Sequence, residues 1–391
     1  MLQYLLVALV AFAATYLLAV VARELAMKVG AYARVRDRDV HEIPIPYFGG
    51  VAMMGGLTAA YVVATQLPLA SGELGDQVLN DARAILIGGA IICLVGVLDD
   101  IFELDALTKF AGELIAAGVV VVQGLQIAWL PLPGERTLSS FAMDASQSGL
   151  LTVFLIVATV NAVNFVDGLD GLAAGVVGIG AIAFFTYAVL LVFINDQQQS
   201  ATTAALLNAA LAGACFGFLP HNFFPARMFM GDSGALLIGF VLACAAISLT
   251  GQYPVSRIGQ GLFGDQASLF PGAVAVLPLI LPFAILIVPL VDMVLAIVRR
   301  TRAGRSPFSP DKLHLHHRLL EIGHSHRRAV LVMYLWAGLV AYGVVVIGLF
   351  SGLWSLLGIA AMTLVATLLT FGVPGRSGII KAEDGTAALD G

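Results

Sequence analysis

Charge is scarce in this chain: only 12% of its 391 residues are Asp, Glu, Lys or Arg, about half the roughly 25% found in a soluble globular domain. Hydrophobic residues make up 59%, so most of the polypeptide must sit in lipid. Basic residues are not in excess. The 20 Lys and Arg stand against 25 Asp and Glu, for a net charge of −5, and no nucleic-acid partner is expected. Cysteine is nearly absent. Cys93, Cys215 and Cys244 lie in apolar runs without CxxC or histidine spacing, so neither a disulfide framework nor a zinc site is suggested. A His-Glu-x-x-His signature is missing too, and with it the basis for an intramembrane metalloprotease. No internal repeat is visible, which weakens a non-enzymatic reading, a secondary transporter built from inverted halves.

Long apolar runs are what the chain does have. Stretches of roughly 17–25 residues between polar breaks predict an all-α, polytopic membrane protein of about eleven spans. These fall near residues 2–22, 48–67, 83–98, 107–124, 149–163, 173–194, 201–219, 233–250, 272–298, 329–350 and 354–373. The first has the length of a spanning helix and lacks a basic leader and a cleavage site, so it reads as a retained helix. One transmembrane catalytic domain is expected over residues 1–373, with a short polar tail at 374–391. Alternation of eleven spans gathers 17 of the 20 Lys and Arg on one side, leaving Arg83, Arg136 and Arg257 on the other. By the positive-inside rule the N-terminus is then outside and the C-terminus cytoplasmic.

Four clusters interrupt the apolar pattern, all at the expected cytoplasmic side. Asp99-Asp100, followed by Lys109, ends the third span. Adjacent carboxylates there are costly unless wet, paired or metal-bound. They read either as a solvated loop or as an acidic site that gathers Mg²⁺ or activates a nucleophile, with Lys109 tuning the charge. Asn161-Ala-Val-Asn164-Phe-Val-Asp167-Gly-Leu-Asp170-Gly171 ends the fifth span. If helical throughout, it places Asn164, Asp167 and Gly171 on one face; polar helix packing is the plainer reading, but two carboxylates are poor glue without a cation. His221-Asn222-Phe223-Phe224-Pro225-Ala226-Arg227-Met228-Phe229-Met230-Gly231-Asp232-Ser233-Gly234 offers an aromatic face for a base, an arginine for phosphate, and a carboxylate where a helix opens. Anions favour such a helix start, although a simple Asp or Ser cap would explain the turn as well.

The longest cytoplasmic loop carries Ser309-Pro310-Asp311-Lys312-Leu313-His314-Leu315-His316-His317-Arg318. Ser309 and Pro310 suit a helix start. On that helix His314 and His317 share a face while His316 points away, so the three do not hold one metal. The loop reads as a binder of diphosphate or as a basic strip on anionic lipid. His324 and His326 read as solvated.

These four blocks, in this order, resemble the polyprenyl-phosphate N-acetylhexosamine-1-phosphate transferase superfamily (glycosyltransferase family 4). The resemblance runs from Arg38-Asp-Val-His41 and Pro46-Tyr-Phe-Gly49-Gly50 to Arg318. Asn164-Phe-Val-Asp167-Gly-Leu-Asp170-Gly with Phe229-Met-Gly-Asp232-Ser-Gly is its most specific part. The His314-Leu-His316-His317 pattern is similar to the branch using UDP-N-acetylglucosamine (UDP-GlcNAc); the branch using UDP-MurNAc-pentapeptide usually has three consecutive histidines. Three positions depart from the common pattern: Asp39 in Arg-x-x-His, Tyr47 in place of a frequent basic residue, and Glu113 in place of a frequent Gln.

The resemblance implies transfer of GlcNAc-1-phosphate from UDP-GlcNAc to polyprenyl phosphate, giving polyprenyl-diphosphate-GlcNAc and UMP. That would be the first membrane step of a cell-envelope glycan pathway, at the cytoplasmic face of the plasma membrane; a homodimer is left open. It further implies that Asp232 and Asn164 hold Mg²⁺, with Mn²⁺ as a substitute, and that Phe229 stacks on uracil. Asn222, Asp170 and Asp167 fall in the nucleotide-binding set. Lys109 and His314 lie near the diphosphate or sugar, while Asp99, Asp100, His316 and His317 belong to the catalytic group.

Overall fold

The computed structural model describes residues 1–33, 44–132, 139–195, 198–251, 280–287, 325–349 and 353–371, with isolated positions between 291 and 302. In chain order the helices are α1 (Leu2–Val29), α2 (Gly49–Ala64), α3 (Gly72–Phe102), α4 (Ala106–Val122), α5 (Ala145–Val166), α6 (Leu172–Asn195), α7 (Gln198–Asn222), α8 (Gly231–Gly251), α9 (His326–Leu349) and α10 (Leu353–Phe371). Between α4 and α5 stands an antiparallel hairpin, β1 (Trp129–Leu132) and β2 (Ser139–Ala142), with Trp129 opposite Ala142. The chain is an all-α polytopic membrane protein. Among the described residues, eight of these helices, all but α2 and α4, are long and apolar enough to cross a bilayer.

Apart from the first turns of α3 and the Lys109–Glu113 face of α4, the helices are largely apolar all round, as burial in lipid and protein requires, and their burial sorts them into layers. The spanning segment of α8 is 100% buried, whereas that of α10 is 11% buried. Accordingly α8 is the axis, packed by α2, α3, α5 and α7, and α10 touches the bundle through α9. Leu17, Leu94, Phe154 and Trp354 are exposed in the manner of lipid-facing residues. Without a hydrophobic drive between helices in lipid, close approach through small residues does the packing. Gly213 and Gly217 show it: a Cβ on either would come within 2.2 Å of Ala8 O or 2.3 Å of Phe12 O on α1.

Local signals set the starts of α4 and α5. Asp105 caps α4, accepting from Leu107 N and Thr108 N at 3.0 Å each, and the hydrogen bonds from Thr108 hold its carboxyl below the usual range. Asp144 and Gln147 form a reciprocal capping box at α5 (2.8 and 3.2 Å).

Ten of the expected spans coincide with helices; the ninth, 272–298, falls largely outside the described residues. The third is longer than expected, beginning at Gly72 rather than 83, because Glu73, Asp76 and Asn80 are tolerated on the exposed side of its first turns. One expectation is overturned. The Asn161–Gly171 segment is not continuously helical: α5 stops at Val166, Asp167 is its C-cap at φ −76° and ψ 53°, and the chain turns through Gly171 at φ +77° before α6. Asn164 and Asp167 therefore do not share a helical face with Gly171.

Candidate active site

The first half of the site is built where three helix ends meet. A Cβ on Gly96 of α3 would lie 2.3 Å from Ser233 Cα, and one on Gly50 of α2 would lie 2.2 Å from the Ser233 carbonyl carbon. The start of α8 thus lies backbone to backbone against both neighbours. Gly231 opens it at φ +68°, a conformation that disfavours a side chain, and a Cβ there would also meet the Asp100 carboxylate at 2.5 Å.

Asp100 faces that helix start. Its Oδ1 accepts from Asp232 N at 2.8 Å and its Oδ2 from Ser233 N at 3.3 Å, so α8 is capped from α3 rather than by its own Asp or Ser. Asp99, its neighbour, takes a different set of partners. Oδ1 accepts from Leu104 N at 2.7 Å, and Oδ2 pairs with Lys109 Nζ at 3.3 Å. Glu103, at φ 51°, closes α3 and lets the chain reverse into α4, which carries Lys109 back over the carboxylates.

Asp232 is the meeting point. Its Oδ2 is paired with Lys109 Nζ, and its Oδ1 accepts from Asn164 Nδ2 at 2.9 Å. Asp99, Lys109 and Asp232 keep side-chain exposures of 16, 18 and 28%, enough to be reached from outside. At the C-cap of α5, the Asp167 carboxyl is pushed up to about 7 by desolvation and by the carboxylates of Asp232, Asp100 and Asp170.

The second half of the site is a pair of interlocked turns. Asn222 Oδ1 accepts from Gly171 N at 3.0 Å while its Nδ2 donates to Met228 O at 3.0 Å. Asp170 Oδ2 accepts from Ala226 N at 2.9 Å. The chain then runs as a strand-like ribbon against the entry to α2: Phe229 N donates to Pro46 O at 2.9 Å, and Gly49 N and Gly50 N donate to Phe229 O and Met230 O at 3.2 Å each. Phe229, half-buried, has the Tyr47 ring 6.1 Å from its own. From α9, Tyr334 OH donates to Gly171 O, Arg327 Nε donates to Phe224 O at 2.9 Å, and His326 stacks on Phe224 with centroids 4.9 Å apart. His326, read from sequence as merely solvated, is therefore a packing partner of this loop.

Asp99, Asp100, Lys109, Asn164 and Asp232 lie together in the structure, and Asp170, Asn222 and Phe229 are joined through the loop that leads into Asp232. His314, His316, His317 and His41 lie outside the described residues. No group of three or more His, Cys, Asp or Glu poised as a metal cage occurs among the described residues. Mg²⁺ needs none, since it takes one or two carboxylates and fills its remaining positions with water and substrate phosphate. The oxygens of Asp232, and of Asn164 once its carboxamide is turned over, are donors of that hard type, so these residues fit the ion.

Residues 82–250, from within α3 to the end of α8, match the family described as Glycosyl transferase family 4. The decaprenyl-phosphate N-acetylglucosaminephosphotransferase of Mycobacterium tuberculosis (strain ATCC 25618 / H37Rv) is 45% identical over 340 residues, covering 86% of this chain and 81% of that protein. This chain belongs to glycosyl transferase family 4. The family-4 match encloses every described residue of the site except Pro46–Gly50 and the α9 contacts. More distant similarity extends to the undecaprenyl-phosphate alpha-N-acetylglucosaminyl 1-phosphate transferase of Yersinia pestis, 28% identical over 331 residues, covering 82% of this chain and 78% of that protein.

Proposed function

We propose that this family-4 protein transfers GlcNAc-1-phosphate from UDP-GlcNAc to a polyprenyl phosphate, in cell-envelope synthesis, with its site on the cytoplasmic face. The observation that carries the reading is the convergence on Asp232 of Lys109 from α4 and Asn164 from α5, three residues after an aromatic side chain in a turn-built loop. The names of relatives that share this region support the substrates.

An oxygen of the polyprenyl phosphate attacks the β-phosphorus of UDP-GlcNAc; the new P–O bond forms as the bond to the bridging oxygen breaks, and UMP leaves with that oxygen. A phosphate monoester has its second pKa near 6 and is already largely ionised at neutral pH. Alignment and charge neutralisation therefore matter more than a strong base. Lys109 supplies one positive charge beside Asp99 and Asp232, and the histidine-rich segment His314–His317 is assigned to the diphosphate and sugar. Mg²⁺, held by Asp232 and Asn164, would offset diphosphate charge. Asp100 fixes the start of α8, and the Phe229 ring supports the uracil.

The test is UMP release by the purified protein, with and without polyprenyl phosphate, in Mg²⁺ and in chelator, with UDP-MurNAc-pentapeptide as the competing donor. Release that needs the lipid phosphate, the metal and UDP-GlcNAc is expected. Release without the lipid acceptor, or preference for the pentapeptide donor, would overturn the assignment.

A further inference from the structure

Glu113 stands one turn beyond Lys109 on α4 and is 2% exposed. A carboxylate this deep in an apolar bundle is tolerated only when its oxygens are hydrogen-bonded. Its Oε2 accepts from Asn161 Nδ2 at 2.6 Å, and the same Nδ2 donates to Val157 O at 2.9 Å. Asn161 precedes Asn164 by three residues, hence on the same face of α5, and Asn164 is the donor to Asp232 Oδ1. Lys109 precedes Glu113 by four residues, again on one face, and is the partner of Asp232 Oδ2.

The contacts close a circuit across three helices. From Asp232 on α8 it runs to Lys109, down α4 to Glu113, across to Asn161, up α5 to Asn164 and back to Asp232. The lower rung ties α4 to α5; the upper rung sets Lys109 and Asn164 against the two oxygens of the same carboxylate. With the lower rung intact, Lys109 and Asn164 keep a fixed separation whatever sits between them. Without it, each helix end is free to shift on its own, and small displacements of aligned groups are costly.

We propose that Glu113 and Asn161 are positioning residues for the transfer reaction, tying α4 to α5 so that Lys109 and Asn164 flank Asp232. The inference rests on the transfer reading above. Glu113 needs only to accept a hydrogen bond in this role, so Gln at the position serves and Ala does not.

The experiment uses the full chain purified in detergent, assayed for kcat and KM with UDP-GlcNAc and polyprenyl phosphate, and for its thermal midpoint. E113A and N161A are each expected to lose about 10–100-fold in kcat, the range for removing a residue that orients a functional group, with KM for UDP-GlcNAc within about threefold of wild type. The E113A/N161A double variant is expected to lose no more than either single one, since both break the same bond, and E113Q to stay within about threefold of wild type. Multiplying losses in the double variant, or E113Q as impaired as E113A, would overturn the proposal. If E113A does not fold, N161A and E113Q decide: a fully active N161A rejects the positioning role. A wild-type protein that releases no UMP would sink the transfer reading instead, and non-additive shifts in thermal midpoint would still judge the circuit.

Discussion

Asp100 accepts the backbone N–H of Asp232 at 2.8 Å, so one carboxylate of the site caps the helix that presents another. A negative charge at a helix N-terminus is favourable, and this one arrives from α3, 132 residues earlier in the chain. Replacing it by Ala should destabilise the protein by about 1–2 kcal/mol, the cost of a lost cap, while D100N, which keeps one acceptor oxygen, should lose less. Thermal unfolding in detergent distinguishes them; equal midpoints for D100A and wild type would show that α8 starts without this cap.

Asp232 is the carboxylate on which Lys109 and Asn164 both converge, and the proposed mechanism rests most heavily on it. D232N preserves shape but removes a charge and an acceptor site for Lys109, and UMP release is expected to fall by about a hundredfold or more, as when one group stabilising transition-state charge is lost. The comparison is D76N, on the exposed early part of α3, which should behave as wild type. Near-normal turnover of D232N at ordinary Mg²⁺ would remove Asp232 from the mechanism.

Phe229 is expected to contribute about 1–3 kcal/mol to binding of UDP-GlcNAc, the range for a base stacked on an aromatic side chain. Calorimetric titration of F229A should show a correspondingly weaker Kd. Unchanged affinity would assign the nucleobase elsewhere.

The pH dependence follows from Asp167. Its folded carboxyl titrates at about 7, against about 3.9 in an unfolded chain, so between these values the folded state holds the proton more tightly. Stability then falls as pH rises through that window. In chelator, the thermal midpoint of wild type should drop between pH 5 and 8 (values chosen to straddle the upper part of the window), and D167N should show a shallower slope. A slope identical in both would exclude Asp167 as a contributor.

Gly96 and Gly118 form a matched pair. A Cβ on Gly96 meets the Ser233 backbone at 2.3 Å, whereas one on Gly118 meets nothing within 4 Å. G96A should cost about 1–3 kcal/mol through overpacking and impair turnover; G118A, in a helix interior, should be neutral or stabilising by about 0.4–1 kcal/mol. Comparable midpoints for the two variants would contradict the close approach of α3 to α8.

The spans were legible because apolar runs between polar breaks register directly in composition, and the carboxylates because charges at span ends are conspicuous there. What lay beyond the sequence is tertiary partnership. Asp99 and Asp100 are adjacent in sequence, yet one binds Lys109 and the other caps α8, a division that depends on which side of α3 faces each neighbour. Glu113 looked like a substitution within a motif, and its bond to Asn161 is made across two helices. The β1–β2 hairpin was missed because Trp129–Leu132 and Ser139–Ala142 are too short for a clear alternation. The break between the fifth and sixth spans was legible between residues 163 and 173, but the stop at Val166 was not, because Asn164-Phe-Val-Asp167 contains no proline or glycine before Gly168 to mark it.

The glycine contacts among α2, α3 and α8 have a mechanical meaning. With backbone pressed on backbone at Gly50, Gly96 and Ser233, the floor of the site has no side-chain slack to take up, so it moves as one block. Opening for a lipid-borne acceptor and letting UMP go must then be the work of the periphery: the Phe223–Met228 turn, which α9 grips at Phe224, and the neighbouring turn that α9 holds at Gly171. Adapting such a protein to a different sugar would leave the block untouched and redraw its rim.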